Sequence, residues 1–405
     1  MSFSFGALRK VVVIPAMVGA LALSACGGGS LGTSGGGSGS GTGGGAAAGP
    51  VKIGVSVPKS GVYAALGKDM EQGFKLYLEQ HDNKLGGKDV QLVEVDEGAG
   101  PQTGVPATEK LITQDQVGAV VGIVNSATAA GLQRTFNESE VPLIVANAGA
   151  DTLTQTPSDY IWRTSFTNGG VAAALGPKAK EEVGNGSIFL MAPDYAAGKE
   201  ATAGFKKSFE AAGGQIAGEA FTPFGQTTDY QPYLNQIRTS GAKGVYVFYA
   251  GAEAVAFVQQ FKQFLGNEDI QLYGSGFLTE GSVLDAQGDA AVGVKTVLHY
   301  SDQIDSPENK KFVTDYTAKW NMAPTVYSVQ MYDAAAVLDK ALEGAQGVDG
   351  KSIAAALKNV GDVDSPRGTW KFNANHDPDQ PYWLREVKDV DGKRVNAVVS
   401  ELKAG

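Results

Sequence analysis

The sequence predicts an α/β protein of two doubly wound lobes, each a parallel β-sheet covered by helices, joined by a three-segment hinge. Short β-branched apolar runs alternate with segments of helical periodicity along most of the 405 residues, a pattern typical of parallel sheets. The alternation starts afresh after residue 168. The roughly 355 residues after residue 50 are also more than one hydrophobic core usually holds, which favours two lobes.

The amino-terminal segment indicates export. Arg9 and Lys10 precede an apolar run over residues 11–22, which is shorter than the ~20 residues that a membrane span requires and is typical of a signal peptide. The run closes on Leu-Ser-Ala-Cys, and Cys26 is the only cysteine, which excludes an internal disulfide and a cysteine-based metal site. The tetrapeptide resembles a bacterial lipobox, which implies that residues 1–26 are a lipoprotein signal peptide and that Cys26 is lipidated. The alternative is an ordinary secreted protein with a chance cysteine.

The segment over residues 27–50 consists almost entirely of Gly, Ser, Thr and Ala. This composition cannot form a core and predicts a flexible tether. The segment lacks the lysine of a phosphate-binding loop and precedes no immediate helix, so nucleotide binding is not expected there. The net charge is −10 and no basic cluster is present, which argues against a nucleic-acid partner.

The first predicted lobe begins with the strand VKIGVSV over residues 51–57. The helix after it, residues 64–82, carries Leu66, Met70 and Phe74 on one face. Further strands are predicted over residues 90–95, 119–124 and 143–146, and further helices over residues 101–115 and 128–139.

Two polar turns follow neighbouring strands of this lobe. Ser126 comes after the strand at residues 119–124, and Asn147, Ala148 and Gly149 come after the next strand. The carboxyl ends of parallel strands form the ligand-binding edge of an open sheet. Ser126 also lies at a helix N-terminus, where free N–H groups and the helix dipole favour an anion. The alternative is that Ser126 only caps its helix.

The pattern then repeats in a second lobe. Residues 160–167 are predicted to be extended and to make the first crossing between lobes. Strands are predicted over residues 187–191, 215–221, 244–249, 271–274 and 294–300, and helices over residues 170–182, 198–212, 229–240 and 252–265.

The last hundred residues return to the first lobe and end in the second. Helices are predicted over residues 306–320, 327–342 and 353–360, and strands over residues 367–372, 382–387 and 395–402, the last as an edge strand. The predicted N-terminal lobe therefore comprises residues 51–168 and 301–382, and the C-terminal lobe residues 169–300 and 383–405.

Catalytic patterns are missing from the sequence. His81, His299 and His376 lie far apart and show no ligand spacing. No Gly-x-Ser-x-Gly elbow occurs, and no Gly-x-Gly-x-x-Gly follows the first strand, so neither a serine hydrolase nor a dinucleotide enzyme is indicated. The sequence therefore predicts a protein that is not an enzyme and holds no cofactor.

The chain resembles the type I periplasmic binding proteins, and most closely the leucine/isoleucine/valine-binding branch. The resemblance rests on the order and spacing of four motifs across nearly all of residues 51–402: VKIG at 51–54 with Ser60-Gly61, VVG at 120–122 leading to Ser126, YSVQMYDAA at 327–335, and Arg367-Gly368. It implies an extracytoplasmic, membrane-anchored lipoprotein that delivers a small ligand to the permease subunits of an ABC importer. It also implies lobes that close on ligand about crossings near Thr167, Tyr300 and Tyr382.

The family's ligand-binding positions transfer to this chain one by one. The resemblance implies that the ligand carboxylate meets Ser126, Asn147, Ala148 and Gly149. It implies an aromatic contact from Tyr195 in the second lobe and another from Tyr327 in a late helix. Tyr63 lies near a further aromatic position, although the family's own column falls on Leu66.

One family position departs from the pattern. Amino-acid binders of the family hold the ligand ammonium with an acidic residue, and that position falls near Gly276, with Phe277 beside it. Glu280 and Glu253 are the candidates to replace the acid, but neither is in register. Because a buried ammonium without an acidic partner is costly, two ligand classes stay open: a branched-chain amino acid, or an amine-free carboxylate. If that carboxylate is aromatic, the ligand-binding candidates Tyr63, Tyr195, Tyr327 and Phe277 supply stacking surface for it. A ligand-sensing receptor subunit with the same fold is the remaining alternative.

Overall fold

The computed structural model describes residues 49–402. The predictions for Cys26, for the signal peptide and for nearly all of the tether concern residues outside this range. No helix among the residues described has the length and apolar character needed to cross a membrane.

The first lobe is built on a six-stranded sheet with the order β2-β3-β1-β4-β5-β6. The strand β1 pairs in parallel with β3 on one side and β4 on the other, and β4, β5 and β6 continue in parallel. The strands are β1 (Val51–Val57), β2 (Lys84–Leu85), β3 (Lys88–Asp96), β4 (Ala119–Gly122), β5 (Leu143–Val145) and β6 (Ile161–Arg163). The helices are α1 (Ala64–Gln80), α2 (Pro101–Thr113), α3 (Ser126–Ser139) and α4 (Thr152–Gln155).

The second lobe repeats this plan on a seven-stranded sheet. Its strands in chain order begin with β7 (Ser187–Pro193), β8 (Gln215–Thr222), β9 (Gly244–Val247), β10 (Gln271–Ser275) and β11 (Lys295–Leu298), which pair in parallel. The covering helices are α5 (Asn168–Val183), α6 (Ala196–Ala211), α7 (Gln231–Ser240), α8 (Gly251–Leu265) and α9 (Ser282–Gln287).

The chain then returns to the first lobe before it ends in the second. Helices α10 (Pro307–Trp320), α11 (Val326–Gly344) and α12 (Gly350–Leu357) lead to the short hairpin β12 (Lys371–Phe372) and β13 (Pro378–Asp379). Helix α11 packs closely on α1, since a Cβ added at Gly73 would lie 2.0 Å from the carbonyl oxygen of Ser328.

The final two strands, β14 (Tyr382–Val390) and β15 (Lys393–Leu402), complete the second sheet in the order β15-β14-β11-β10-β9-β7-β8, and both pair antiparallel. The chain thus passes between the sheets three times, after β6, after β11 and after β13. The predicted fold of two doubly wound lobes with a three-segment hinge is confirmed.

The clearest local differences between prediction and structure concern residues 367–372 and the start of α3; α12 also begins and ends three residues earlier than predicted. The predicted strand over residues 367–372 is wrong except at β12, because side chains of this segment bind α11 instead: Arg367 Nε lies 2.8 Å from Asp333 Oδ2, and Trp370 Nε1 donates to the same oxygen. Helix α3 begins earlier than predicted, at Ser126. The Asn125 side chain caps it by accepting hydrogen bonds from the N–H groups of Ala127 and Thr128.

A buried arginine, Arg163 at the end of β6, holds the carboxyl ends of the first sheet together. Its side chain is fully buried, and all five of its N–H groups have acceptors. It donates at 2.7 to 3.0 Å to the carbonyl oxygens of Ala148, Ala150 and Phe166, to the hydroxyl of Thr154 and to the carboxylate of Asp377. Arg163 therefore fixes the turn after β5, which carries the predicted ligand residues.

We expect Arg163→Met to lower the free energy of unfolding by about 3 kcal/mol or more, because it leaves a carboxylate and buried carbonyls without partners. Chemical denaturation measures the loss. The matched control is Arg134→Met, since the Arg134 side chain is 85% exposed and its replacement should change stability by no more than about 0.5 kcal/mol. Equal losses in the two variants would contradict the role given to Arg163.

Candidate functional site

A small cavity lies where the carboxyl ends of the two sheets face each other. Six aromatic side chains line it: Tyr63, Phe166, Tyr195, Phe248, Phe277 and Tyr327. The polar side chains in the lining are Ser126, Asn147 and Asn168, and the remaining lining residues are Leu66, Val124, Gly149, Ala197 and Ala250. Among the residues that the structure describes, no Asp, Glu, Lys, Arg or His lines this cavity.

The turn between β4 and α3 presents Ser126 to the cavity. Asn125 uses its side-chain oxygen to cap α3, and Glu97 accepts hydrogen bonds from the N–H groups of Val124 and Asn125 at 2.8 and 2.7 Å. These bonds fix the backbone on both sides of Ser126. Glu97 is fully buried, and burial raises its pKa to about 8. A protonated Glu97 places no negative charge behind the Ser126 turn.

The turn after β5 contributes Asn147 and Gly149. The Asn147 amide donates to Gln330 of α11 at 2.8 Å. Gly149 has no space for a side chain, because an added Cβ would lie 2.3 Å from Asn168 Oδ1 and 2.5 Å from Phe166. Ala148 does not line the cavity: its N–H bonds to Ile123 and its carbonyl to Arg163.

Aromatic rings from both lobes form the rest of the wall. Phe277 lies 4.7 Å from Phe166 and 6.0 Å from Tyr327 between ring centroids. Across the cavity, the hydroxyls of Tyr63 and Tyr195 are 2.8 Å apart and join the first lobe to the second. The two lobes are thus in contact on either side of the cavity.

The Tyr327 hydroxyl is buried and has no hydrogen-bond partner among the described residues. An unsatisfied buried hydroxyl usually costs about 1–3 kcal/mol. Because Tyr327 lines the cavity, a polar group of a bound ligand could form the hydrogen bond that this hydroxyl lacks.

The two acidic candidates lie outside the cavity lining. Glu280 accepts from the N–H of Val326 at 2.8 Å and pairs with Arg385 at 2.9 Å. Glu253 accepts from the N–H of Gly225 at 2.9 Å, and burial raises its pKa to about 7. At Gly276, an added Cβ would lie 2.5 Å from Arg385 Nη2, so that position has no room for an acidic side chain.

Sequence reasoning missed several lining residues, among them Phe166, Asn168 and Phe248. Asn168 and Phe166 lie at the first crossing, where the predicted extended segment meets a helix, and Phe248 is the penultimate residue of a predicted strand. The only sequence pattern that marks them is their position at the end of a strand or the start of a helix, which many residues share.

The structure brings no cluster of three or more metal-ligating side chains together within the described range. His299 is fully buried, and its burial, together with the nearby guanidiniums of Arg367 and Arg385, holds its pKa well below the usual range. It contacts Gln330 at 3.1 Å and does not line the cavity. The arrangement of the site can bind a ligand by hydrogen bonds and ring contacts.

Comparison with known sequences gives one family and a set of relatives. The family model described as periplasmic binding protein matches residues 50–393. The Leu/Ile/Val-binding protein homolog 6 of Brucella melitensis is 33% identical over 353 residues, which cover 84% of this chain and 88% of that protein.

Solved structures that resemble this chain are also solute-binding proteins. A solute-binding protein of an ABC transporter from R. palustris, in complex with benzoate, is 35% identical with a TM-score of 0.81, over 88% of this chain and 98% of that chain. A second, from Rhodopseudomonas palustris BisB5 in complex with 3,4-dihydroxybenzoic acid, is 31% identical with a TM-score of 0.82, over 88% and 98% of the two chains. A leucine-binding protein from Thermotoga maritima shares the fold at 23% identity, with a TM-score of 0.78.

The raised pKa of Glu97 predicts a pH-dependent stability. The folded-state pKa of about 8 exceeds the usual value of 4.5, so the folded protein binds this proton more tightly than the unfolded chain does. The contribution of Glu97 to stability is then fully present below pH 4.5 and is lost as the pH rises through 8.

We therefore expect the free energy of unfolding of the wild type, relative to Glu97→Gln, to fall by a few kcal/mol between pH 4.5 and pH 8. Chemical denaturation at a series of pH values measures the difference. Glu138→Gln is the matched control, since the side chain of Glu138 is 63% exposed and its replacement should change stability by no more than about 0.5 kcal/mol. A difference between wild type and Glu97→Gln that is flat with pH would refute a protonated Glu97.

Proposed function

The chain belongs to the periplasmic binding protein family, and from that membership we propose that it is the solute-binding component of an ABC importer for a small aromatic carboxylate. Its relatives are named as binding proteins, not enzymes. The observation that carries the ligand class is the cavity lining, which has six aromatic residues and, within the described part of the chain, no acidic one.

An amine-free ligand fits this lining better than an amino acid. A buried ammonium needs a carboxylate partner or pays a large desolvation penalty. Glu280 is already paired with Arg385, and Gly276 has no room for a substituted side chain. The position that the family's amino-acid binders use for the ammonium therefore offers no negative charge here.

An aromatic ring suits the apolar and aromatic side chains that line the cavity. Aromatic pairs at centroid distances of 4.5–7 Å attract each other beyond simple burial, and Phe277 already lies at such distances from both Phe166 and Tyr327. The relatives solved with benzoate and with 3,4-dihydroxybenzoic acid support the same ligand class.

The carboxylate of the ligand is proposed to bind at Ser126, with Asn147 and Gly149 beside it. The Ser126 hydroxyl can donate a hydrogen bond to this charged acceptor, and such a bond is stronger than one between neutral groups. Neither Lys nor Arg from the described residues lines the cavity, so the anion is held by dipoles alone.

Closure of the two lobes is proposed to trap the ligand between them. One lobe comprises residues 51–168 and 301–382, and the other comprises residues 169–300 and 383–405. The Tyr63–Tyr195 contact joins the lobes at the cavity, so the ligand and this contact belong to the same closed state. A ligand can shift the opening equilibrium only by its preference for that state. The closed, loaded protein then docks on its permease.

A second candidate ligand is a branched-chain amino acid. It is favoured by the naming of the Brucella relatives as Leu/Ile/Val-binding protein homologues. It requires a partner for the ammonium that is not in the described lining, so direct binding measurements separate the two ligand classes.

We expect calorimetry on refolded, ligand-stripped protein to show binding of benzoate or a hydroxybenzoate and none of leucine, isoleucine or valine. Ser126→Ala should weaken the binding by roughly 10- to 100-fold, because it removes a hydrogen bond to a charged group. Ser139→Ala, at the far end of the same helix, is the control and should bind as the wild type does. Binding of leucine in preference to benzoate would overturn the proposed ligand class.

Membrane anchoring through Cys26 is proposed from the lipobox. We expect a bacterial host fed with a labelled fatty acid to label the full-length wild type, and the membrane fraction to contain it. Cys26→Ser should remove the label and release the protein from the membrane, because no other cysteine exists in the chain. An unlabelled wild type, or a variant that stays with the membrane, would contradict lipidation.

A further inference from the structure

Asn168, the first residue of α5, joins the predicted carboxylate site to the second lobe. Its side chain lines the cavity and is 1% exposed. The amide nitrogen donates to Ser126 Oγ at 3.2 Å and to Glu200 Oε2 of α6 at 2.8 Å. Both hydrogens of the amide are therefore used, one on each lobe.

These two bonds also fix which way the amide points. The backbone N–H of Asn168 donates to the carbonyl of Gly149 at 2.7 Å. The side-chain oxygen lies so close to Gly149 that a Cβ there would come within 2.3 Å of it. With the nitrogen on Ser126 and Glu200, and the oxygen against Gly149, the amide has one favourable orientation.

The orientation of the amide determines what Ser126 can do. A serine hydroxyl can donate one hydrogen bond and accept two. Because Asn168 donates to Ser126 Oγ, the hydroxyl proton of Ser126 cannot point back at the Asn168 nitrogen and needs an acceptor elsewhere. Ser126 borders the cavity, and a ligand carboxylate is a strong acceptor.

We propose that Asn168 is a positioning residue that makes Ser126 a hydrogen-bond donor to the ligand carboxylate and so selects an anionic ligand. This proposal rests on the proposed function, in that it takes Ser126 as a carboxylate contact. It applies to any carboxylate ligand, aromatic or not.

Charged groups around Asn168 favour an uncharged amide at this position. Glu200 of α6 binds it directly, and Asp151 accepts from the N–H of the next residue, Gly169, at 3.0 Å. Burial raises the pKa of both carboxyls. Within the described residues, Arg163 is the only guanidinium whose charge acts to lower the pKa of Asp151 and Glu200. Its five N–H groups are hydrogen-bonded to other acceptors.

Asn168→Asp tests the proposal with almost no change of shape. At pH 8 the new carboxylate accepts the Ser126 proton instead of donating to its oxygen, so benzoate affinity measured by calorimetry should fall about 30-fold or more. At pH 5 the new carboxyl, next to the carboxyls of Glu200 and Asp151, takes up a proton and no longer competes with the ligand as an anionic acceptor for the Ser126 hydroxyl. Most of the lost affinity should return, while the wild type changes much less over the same range.

Two further variants separate positioning from a structural or long-range effect. Asn137→Asp, on an exposed part of α3, makes the same charge change and should leave affinity as in the wild type. Combining Asn168→Asp with Ser126→Ala should weaken binding no further than Ser126→Ala alone, because the two residues act through one hydroxyl.

Three results would overturn the inference. The first is wild-type affinity in Asn168→Asp at pH 8, and the second is an equal loss at pH 5 and pH 8 in a folded variant. The third is a wild type that binds no carboxylate at all, which would remove the proposed function as well. If the wild type binds leucine but not benzoate, only the aromatic ligand class fails, and the same series with leucine decides the role of Asn168.

Discussion

Buried guanidinium groups hold the site-bearing ends of both sheets, and the cavity depends on them. Strands that end beside a closed cavity leave carbonyl oxygens with little access to water, and each needs a donor. Arg163 supplies donors to the turns after β5 and β6, and Arg385 supplies them to the carbonyls of Gly276 and Tyr300 in the second lobe. The five N–H groups of one arginine can join several segments that a lysine could not join. Arg163 is the last residue of β6, and Arg385 lies within β14, three residues after that strand begins.

This arrangement keeps the charges out of the cavity. Arg163 and Arg385 each have a carboxylate partner, Asp377 and Glu280, and neither arginine lines the cavity. A ligand anion at Ser126 therefore meets dipoles and not a cation. Helix N-termini can bind anions in this way. Because the described lining carries no formal charge, the ammonium group of a zwitterionic ligand would have no acidic partner in the cavity.

The sequence predicted the alternation of strands and helices well because β-branched runs and helical periodicity are local properties. Ser126, Asn147 and Gly149 follow strand ends, and the structure brings them to one cavity. The status of Glu280 could not be predicted, because its partner Arg385 lies 105 residues further along the chain. Asn168 was not predicted as a site residue for the same reason. Its role depends on contacts with Ser126 and Glu200, which only the folded chain brings together.

The composition of the cavity wall links ligand class to closure. Phe277 already lies within ring-contact distance of both Phe166 and Tyr327, and these three rings come from segments of both lobes. A flat aromatic ligand added to this group extends a packed aromatic cluster across the two lobes, so its ring contacts are made in full only when the lobes are closed. An aliphatic side chain gains burial but not the directional contacts of stacked or edge-on rings. Since a ligand shifts the equilibrium only by its differential affinity for the closed state, the proposed ligand class leads us to expect that an aromatic acid closes these lobes more effectively than an aliphatic acid of similar size.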